Sequence, residues 1–486
     1  MTSGHKIVQG AAFSSAGTIV SMAGAMGAAM IFTRVLPEAH VGVFSLLVLT
    51  NDLLILCSNL GMRSGLPKLV ASAAEQDRPS LVSSALGFQL LISSMAGGGI
   101  YLFWFVVRDP TAVSSNANWV GLYPYLWLLP LLSLAAAQRD VATASLAGLN
   151  RYGRRAVGGV VAASVNVGLV AVLVWGLQGG LLALILAVLA SHVAAGAWLY
   201  GSLPAGCMPG LRWRPYRDAV AFSWPLYVNN MLTFVFQRLD TFLVAWMLGP
   251  VNVAYYEMAK RLPNMANRVL AAVLVPYLPS VSARIAGQDL AGASRLMNKA
   301  LGLVAFLGYT GVLCTVTIQE LLIRLLFSAD YLPATRVLWL LMTALCLHVQ
   351  VGILGQSIIA FGRPGVIAAI NVGTALVSIA ANLVLIPRFG ILGAGCSYLL
   401  AIGFAGILHT GFTRRCGLRM DILGIVKPQV LMALSLTIMW LGHGAFAGRV
   451  AATGLFVALC FAASVVSVAQ MVDMAKALGL RRPGAR

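Results

Sequence analysis

The sequence predicts an all-α polytopic membrane protein with about 14 transmembrane helices. We expect two parallel six-helix lobes around a central cavity, followed by two additional C-terminal helices. Of the 486 residues, 59% are hydrophobic and only 10% are charged, and the mean hydropathy is +0.88. Soluble domains carry about 25% charged residues, so a water-soluble fold is excluded. The number and length of the apolar runs predict the number of helices. An internal repeat predicts the two lobes.

The apolar runs indicate helices rather than strands. A bilayer core of about 30 Å requires about 20 apolar residues per helix. The runs are too long, and too rich in Ala, Val, Leu and Gly without alternation, for the strands of a β-barrel. The first run is also too long for a signal-peptide core, so we expect a retained helix. The runs begin near Ala11, Val41, Ser84, Trp119, Ala156, Gly180, Ala219, Val251, Ala300, Thr335, Gly365, Ile391, Ile425 and Ala451.

The distribution of basic residues predicts the orientation. Most of the 33 Lys and Arg residues, Arg139 among them, fall in connections that we assign to one side of the membrane. The positive-inside rule then places both termini in the cytoplasm. The net charge of +19 does not indicate nucleic-acid binding, because no polar domain is available to form a basic groove. The outer connections are short, which disfavours a membrane glycosyltransferase or polymerase.

Side chains that could support catalysis or metal binding are sparse. There is no Walker lysine motif, no HExxH and no nucleophile elbow, so we predict no catalytic residues, no metal site and no cofactor. The isolated histidines are predicted to pack in the protein core: His192, His348 and His409. Five cysteines lie inside predicted spans and two in basic loops, so we predict no disulfides. They are Cys57, Cys314, Cys346, Cys396 and Cys460 in spans, and Cys207 and Cys416 in loops.

An internal repeat divides the chain. The segment LPKLVASAAEQD from Leu66 aligns with LPSVSARIAGQD from Leu278, an offset of 212 residues. Six spans fall in each repeat, so the two lobes are predicted to be parallel, with a binding site between them. We therefore predict an N-lobe over 1–205, a C-lobe over 206–415, and two further helices with a basic tail over 416–486. Residues 62–80 and 284–298 are predicted to form amphipathic helices on the inner membrane surface.

Ionisable residues interrupt three of the spans. An ionised side chain near the bilayer centre costs at least about 2.5–3.5 kcal/mol and usually faces a cavity or a partner. Span two carries Asp52, and span seven carries Arg238 and Asp240. Span eight carries the largest number of polar residues. Four of them are spaced by four, three and four residues, which places them on one helix face: Glu257, Arg261, Asn264 and Arg268. The polar residues of span eight include Glu257, Lys260, Arg261, Asn264 and Arg268.

Two interpretations of these charges stay open. The basic residues of spans seven and eight outnumber the acids that could neutralise them, which favours a net positive cavity that binds an anion. In the alternative, the charges form only a self-neutralised ion network. In that network Glu257 would pair with Lys260 or Arg261, and Arg238 with Asp52 or Asp240.

Four segments carry a family resemblance. They are TRVLPEAHVGVFSL from Thr33, QRLDTFLVAWMLGPVNVAYYEMAKRL from Gln237, VPYLPSVSA from Val275 and ANLVLIPRFGILGAGCSYLLA from Ala381. Over residues 10–412 the chain resembles the O-antigen and exopolysaccharide flippases of the multidrug/oligosaccharidyl-lipid/polysaccharide exporter superfamily. The resemblance implies a bacterial inner-membrane transporter that moves an undecaprenyl-diphosphate-linked oligosaccharide to the outer leaflet, in contact with membrane lipids, a polysaccharide polymerase and a chain-length regulator.

A diphosphate is also the kind of anion that a cationic cavity would hold. We therefore predict two sets of site residues. Substrate binding is assigned to Arg238, Lys260, Arg261, Arg268, Asn264 and Arg34, and proton coupling to Asp52, Asp240 and Glu257. Two alternatives remain within the superfamily: a lipid II flippase, which differs only in the headgroup of its cargo, and a cation-coupled multidrug exporter. The exporter is disfavoured because span one contains no acidic residue.

Overall fold

The computed structural model describes residues 3–106, 117–271, 276–441 and 446–462. In this part of the chain there are sixteen α-helices and no strand. Helix α6 continues as a π-helical segment, Val170–Gly176. A 3₁₀ segment, Ala117–Leu128, precedes α5, and another, Ala329–Ala334, precedes α12. The helices are α1 Ser3–Val35, α2 Glu38–Asn59, α3 Met62–Ser72, α4 Arg78–Val106, α5 Leu129–Gly148, α6 Tyr152–Leu169, α7 Gly180–Gly201, α8 Trp213–Leu248, α9 Pro250–Ala271, α10 Tyr277–Ala286, α11 Leu290–Leu326, α12 Thr335–Ala360, α13 Pro364–Phe389, α14 Ile391–Arg415, α15 Ile422–Leu441 and α16 Phe446–Ala462.

The predicted all-α membrane fold is confirmed. Every predicted apolar run coincides with one of these helices, and ten helical segments are long and apolar enough to cross a membrane. Helices α15 and α16 are apolar but shorter. Helices α5 and α9 contain polar and charged residues that lower their hydropathy.

The helix bounds repeat along the chain. Both ends of α2 (Glu38–Asn59) are offset by 212 residues from the ends of α9 (Pro250–Ala271). The short helix α3, predicted within 62–80, has its counterpart in α10. The prediction of a surface helix over 284–298 is wrong, because α10 ends at Ala286 and the long helix α11 begins at Leu290.

The chain divides into two compact units. Unit 1 comprises Met1–Glu257 with Leu325–Tyr331, and unit 2 comprises Met258–Arg324 with Leu332–Arg486. Helix α9 therefore contributes its first two turns to unit 1 and the remainder to unit 2. The division into lobes at residues 205 and 415, which rests on the repeat, stays a prediction.

Close helix contacts position the polar residues of unit 1. Helix α5 packs against α2, α3, α4 and α7. Near the N-terminal end of α2, a Cβ atom on Gly42 would lie only 1.8 Å from the carbonyl oxygen of Pro250, the first residue of α9. Small residues permit such an approach of two backbones in membrane proteins. Gly42 thus sets the distance between α2 and the α8–α9 corner.

Unit 2 has its own buried core. Helix α10 docks on α12 through the hydroxyl groups of Tyr277 and Ser357, which lie 2.6 Å apart. Val281, Met297 and Ile353 are fully buried in the same cluster. Burial raises the pKa of Tyr277 to about 12, so the phenol is neutral at physiological pH.

Candidate functional site

An arginine lies between two carboxylates in unit 1. Gly249, with φ of 84°, ends α8, and Pro250 starts α9, so the two helices form a tight corner that brings their side chains together. Arg238 Nη2 on α8 lies 3.7 Å from Asp52 Oδ2 on α2. Its Nη1 lies 3.9 Å from Glu257 Oε2 on α9. All three side chains are half-buried.

A buried hydrogen-bond network adjoins this arginine. The Asp240 carboxylate accepts from the backbone N–H of Thr241 at 2.7 Å and from the Tyr256 hydroxyl at 2.6 Å. The Thr241 hydroxyl donates to Glu257 Oε1 at 2.8 Å. Asp240 and Tyr256 are buried, whereas Asp52 is half-buried. Asp240 therefore braces α8 against α9, and Asp52 is the more accessible carboxylate.

These contacts bear on the two interpretations of the charges. With Asp52 and Glu257 both within 4 Å of its guanidinium, Arg238 belongs to an ion network. The contact to Asp52 agrees with the alternative interpretation, in which Arg238 pairs with Asp52 or Asp240, and the structure adds a contact to Glu257. An excess of positive charge has to come from other residues.

The further basic residues of α9 belong to unit 2. Because α9 is helical from Pro250 to Ala271, Arg261, Asn264 and Arg268 share one helix face. This basic face extends over about 10 Å at a rise of 1.5 Å per residue. Asn264 and Arg268 are exposed, and Lys260 and Arg261 are half-buried.

The last predicted binding residue, Arg34, makes a different contact. Its Nε donates to the carbonyl of Phe327 at 2.9 Å and its Nη2 to that of Leu325 at 2.5 Å. These carbonyls lie at the C-terminal end of α11, where the helix dipole favours a cation. In the structure Arg34 therefore caps a helix, and a role in substrate binding stays a prediction.

The structure also brings together charged residues that the sequence analysis missed. Arg139 Nη2 lies 2.9 Å from Asp140 Oδ1, and its Nη1 lies 2.8 Å from His192 Nδ1. Arg63 Nη1 lies 3.5 Å from Asp140 Oδ2. Asp140 and Arg63 are also close enough to Asp52 to interact with it electrostatically. The two clusters of unit 1 therefore adjoin.

The assignment of Arg139 to an inner connection is wrong. Helix α5 runs from Leu129 to Gly148, so Arg139 lies in its middle. The polar triplet Gln138–Asp140 inside an apolar run was the signal in the sequence. His192, predicted to be a packing histidine, is half-buried and contacts Arg139.

The chemistry available to these clusters is binding and proton exchange. Guanidinium groups can hold phosphate or carboxylate groups through paired hydrogen bonds. The half-buried carboxylates can exchange protons. Across the described ranges, no group of three or more His, Cys, Asp and Glu residues is placed to hold a metal ion.

Comparisons with known proteins agree with this architecture. Residues 31–336 match the family described as "Polysaccharide biosynthesis protein". The probable low-salt glycan biosynthesis flippase Agl15 of Haloferax volcanii is 22% identical over 395 residues, which cover 78% of each chain.

Two solved structures show the same fold. The lipid II flippase MurJ, in an inward closed conformation, has a TM-score of 0.70 at 12% identity, covering 96% of this chain and 99% of that one. An inward-facing multidrug resistance MATE family transporter of the MOP superfamily has a TM-score of 0.64 at 13% identity, covering 81% and 94%. The likeness of both confirms a membrane-transporter fold.

Proposed function

Because the chain belongs to the family of polysaccharide biosynthesis proteins, we propose that it is a flippase for a lipid-linked glycan. Its cargo is an undecaprenyl-diphosphate-linked oligosaccharide, which it moves from the cytoplasmic to the outer leaflet of the bacterial inner membrane. The family match, the glycan flippase among its relatives and the transporter fold support this proposal. The same support favours transport over catalysis.

The observation that carries the binding mechanism is the basic face of α9. A diphosphate requires several hydrogen-bond donors with positive charge, and Arg and Lys supply them through charge-assisted hydrogen bonds. Lys260, Arg261 and Arg268, with Asn264 as a neutral donor, line about two turns of this helix. Moving two negative charges outward is also favoured by an inside-negative membrane potential, by about 2.3 kcal/mol per charge per 100 mV.

The network around Arg238 couples the transport step to protons. A bound diphosphate competes with Asp52 and Glu257 for the guanidinium of Arg238. Carboxylates that lose this cation bind protons more readily, because a nearby positive charge favours their ionised form. Asp240 supports the arrangement through its hydrogen bond from Tyr256.

The proposal includes the setting of the protein. Both termini lie in the cytoplasm, and the partners are membrane lipids, a polysaccharide polymerase and a chain-length regulator. The alternative cargo, lipid II, also contains a diphosphate and differs from the proposed cargo only in its headgroup. A cation-coupled multidrug exporter would handle cationic compounds instead.

A reconstituted transport assay tests this function. The purified protein is placed in liposomes with a fluorescent undecaprenyl-diphosphate-linked oligosaccharide, and transfer between leaflets is followed. Losing one hydrogen bond to a charged group costs about 1.5–3 kcal/mol. At 1.4 kcal/mol per factor of ten, the double variant Arg238→Ala/Arg261→Ala is expected to reduce transfer at least about tenfold. Arg217→Ala, an exposed arginine paired with Asp218, is the matched control.

Several results would contradict the proposal. Transfer that is unchanged in the double variant would refute the cationic mechanism. Transfer of lipid II but not of other lipid-linked oligosaccharides would establish the lipid II alternative. Resistance of cells to cationic dyes, without any transfer of lipid, would identify a drug exporter.

A further inference from the structure

We propose that Arg63 and Arg139 form a second oxyanion-binding site in unit 1, and that His192 is the positioning residue for Arg139. The ligand is an oxyanion of the cargo, either a phosphate group or a sugar carboxylate. The inference deepens the proposed function and rests on it. It concerns helices α3, α5 and α7, none of which carries a residue assigned above to binding or coupling.

The position of Arg139 in α5 calls for a functional explanation. It lies about 15 Å from Leu129 and about 13 Å from Gly148 at 1.5 Å per residue, which places it near the middle of the helix. Packing a charged side chain between helices is costly unless the charge is paired. Helix α5 is packed by α2, α3, α4 and α7, so Arg139 and Asp140 face other helices.

The hydrogen bonds of Arg139 determine the state of His192. A guanidinium donates hydrogen bonds and cannot accept them. The 2.8 Å contact therefore requires His192 Nδ1 to accept from Arg139 Nη1, which assigns the imidazole proton to Nε2. The ring is neutral, and with Asp140 on the other side it holds the guanidinium plane in one orientation.

Arg63 has the more open side chain of the two arginines. Asp140 lies within 3.5 Å of both guanidinium groups, and Asp52, which pairs with Arg238, also interacts with Arg63. The Asp140 side chain is 11% exposed, whereas that of Arg63 is 72% exposed. An exposed arginine beside a fixed one offers N–H groups to a further oxyanion.

The α2–α3 corner holds the backbone of Arg63 in place. Leu60 and Gly61 both have positive φ, 46° and 83°, which turns the chain sharply at the end of α2. The backbone N–H of Arg63 then donates to Asn59 Oδ1 at 2.7 Å. Both arginines are thus anchored at the backbone before any ligand binds, which reduces the entropy lost on binding.

Binding measurements on the purified full-length protein test this site. The probes are an undecaprenyl-diphosphate-linked oligosaccharide of neutral sugars and one that contains glucuronic acid. Arg139→Gln and Arg63→Gln are each expected to weaken binding about tenfold or more. Loss of affinity for both probes identifies the phosphate as the ligand, and loss for the acidic probe alone identifies the carboxylate. The Arg63 side chain is mostly exposed, so Arg63→Gln is expected to fold normally, and a loss of binding in this variant cannot be attributed to misfolding.

The positioning role has its own matched pair. His192→Asn keeps an acceptor oxygen near the place of Nδ1 and is expected to retain wild-type affinity. His192→Leu removes the acceptor and is expected to weaken binding about as much as Arg139→Gln. Equal affinities of the two His192 variants would overturn the role of His192.

The remaining outcomes separate this inference from the proposed function. Wild-type affinity of Arg139→Gln and Arg63→Gln for both probes would overturn the second site and leave the flippase proposal intact. If the wild-type protein itself binds neither probe, the proposed function fails and this inference fails with it.

Discussion

Gly42 is the position where helix α2 crosses the α8–α9 corner without room for a side chain. A Cβ at this position would lie 1.8 Å from the carbonyl oxygen of Pro250 and 2.4 Å from its carbonyl carbon. Ordinary contacts of a Cβ begin at 3.4 Å, so the two backbones would have to separate by up to 1.6 Å. Neither atom belongs to a flexible side chain. We therefore expect Gly42→Ala to cost about 1–3 kcal/mol of stability, as is usual for overpacking.

The Gly42→Ala substitution is also expected to disturb the candidate site. Asp52 lies about 15 Å further along α2 at 1.5 Å per residue. Its oxygen is already 3.7 Å from Arg238 Nη2, close to the 4 Å limit of an ion pair. A separation of α2 from the α8–α9 corner would break this contact, so transport is expected to fall along with stability.

Thermal unfolding of the purified protein, followed by intrinsic tryptophan fluorescence, measures the effect. Gly98→Ala is the matched control, because this glycine is exposed on α4 and a Cβ there meets nothing within 4 Å. Alanine is favoured over glycine inside a helix by about 1 kcal/mol, so the control is expected to be as stable as the wild type or slightly more stable. Equal unfolding midpoints for Gly42→Ala and wild type would refute the packing argument.

Two further predictions concern a hydroxyl group and a thiol. Tyr256→Phe removes the hydrogen bond to Asp240 and is expected to cost about 1.5–3 kcal/mol, measured as a lower unfolding midpoint; an unchanged midpoint would contradict the bracing role of this bond. Cys207 is 1% exposed, and burial raises the pKa of its thiol. The stability that this thiol contributes is therefore complete below the ordinary thiol pKa and is lost as the pH rises through the raised folded value. Maleimide labelling at pH 7, resolved by mass spectrometry, should be slow at Cys207 until the protein unfolds, and rapid labelling of the folded protein would show that the thiol is accessible.

Hydropathy and local spacing were sufficient for the helices. Every apolar run became a helix because a chain in a bilayer must satisfy its backbone hydrogen bonds within the segment. The polar face of α9 followed from the same local rule, since residues spaced by three and four share a helix face. Arg139 was misplaced because a polar triplet inside a helix and a polar loop have the same composition.

The partners of the charged residues were beyond prediction from local patterns. Arg238 could have paired with any nearby acid, and packing of α2 and α9 against α8 selected Asp52 and Glu257. Arg34, for which substrate binding stays a prediction, caps α11, whose carbonyls are almost 300 residues away in the sequence.

The sequence by itself determined a polytopic all-α membrane fold, its repeat and the charged residues of α2, α8 and α9. The tertiary structure decided which charged residues pair with one another. It also brought Arg139 and Asp140 of α5 and His192 of α7 next to them. The physical reason is the distance over which each effect acts. Hydropathy and helix periodicity depend on residues that are close in the sequence. An ion pair depends on the distance between two helices, and the packing of the whole unit sets that distance.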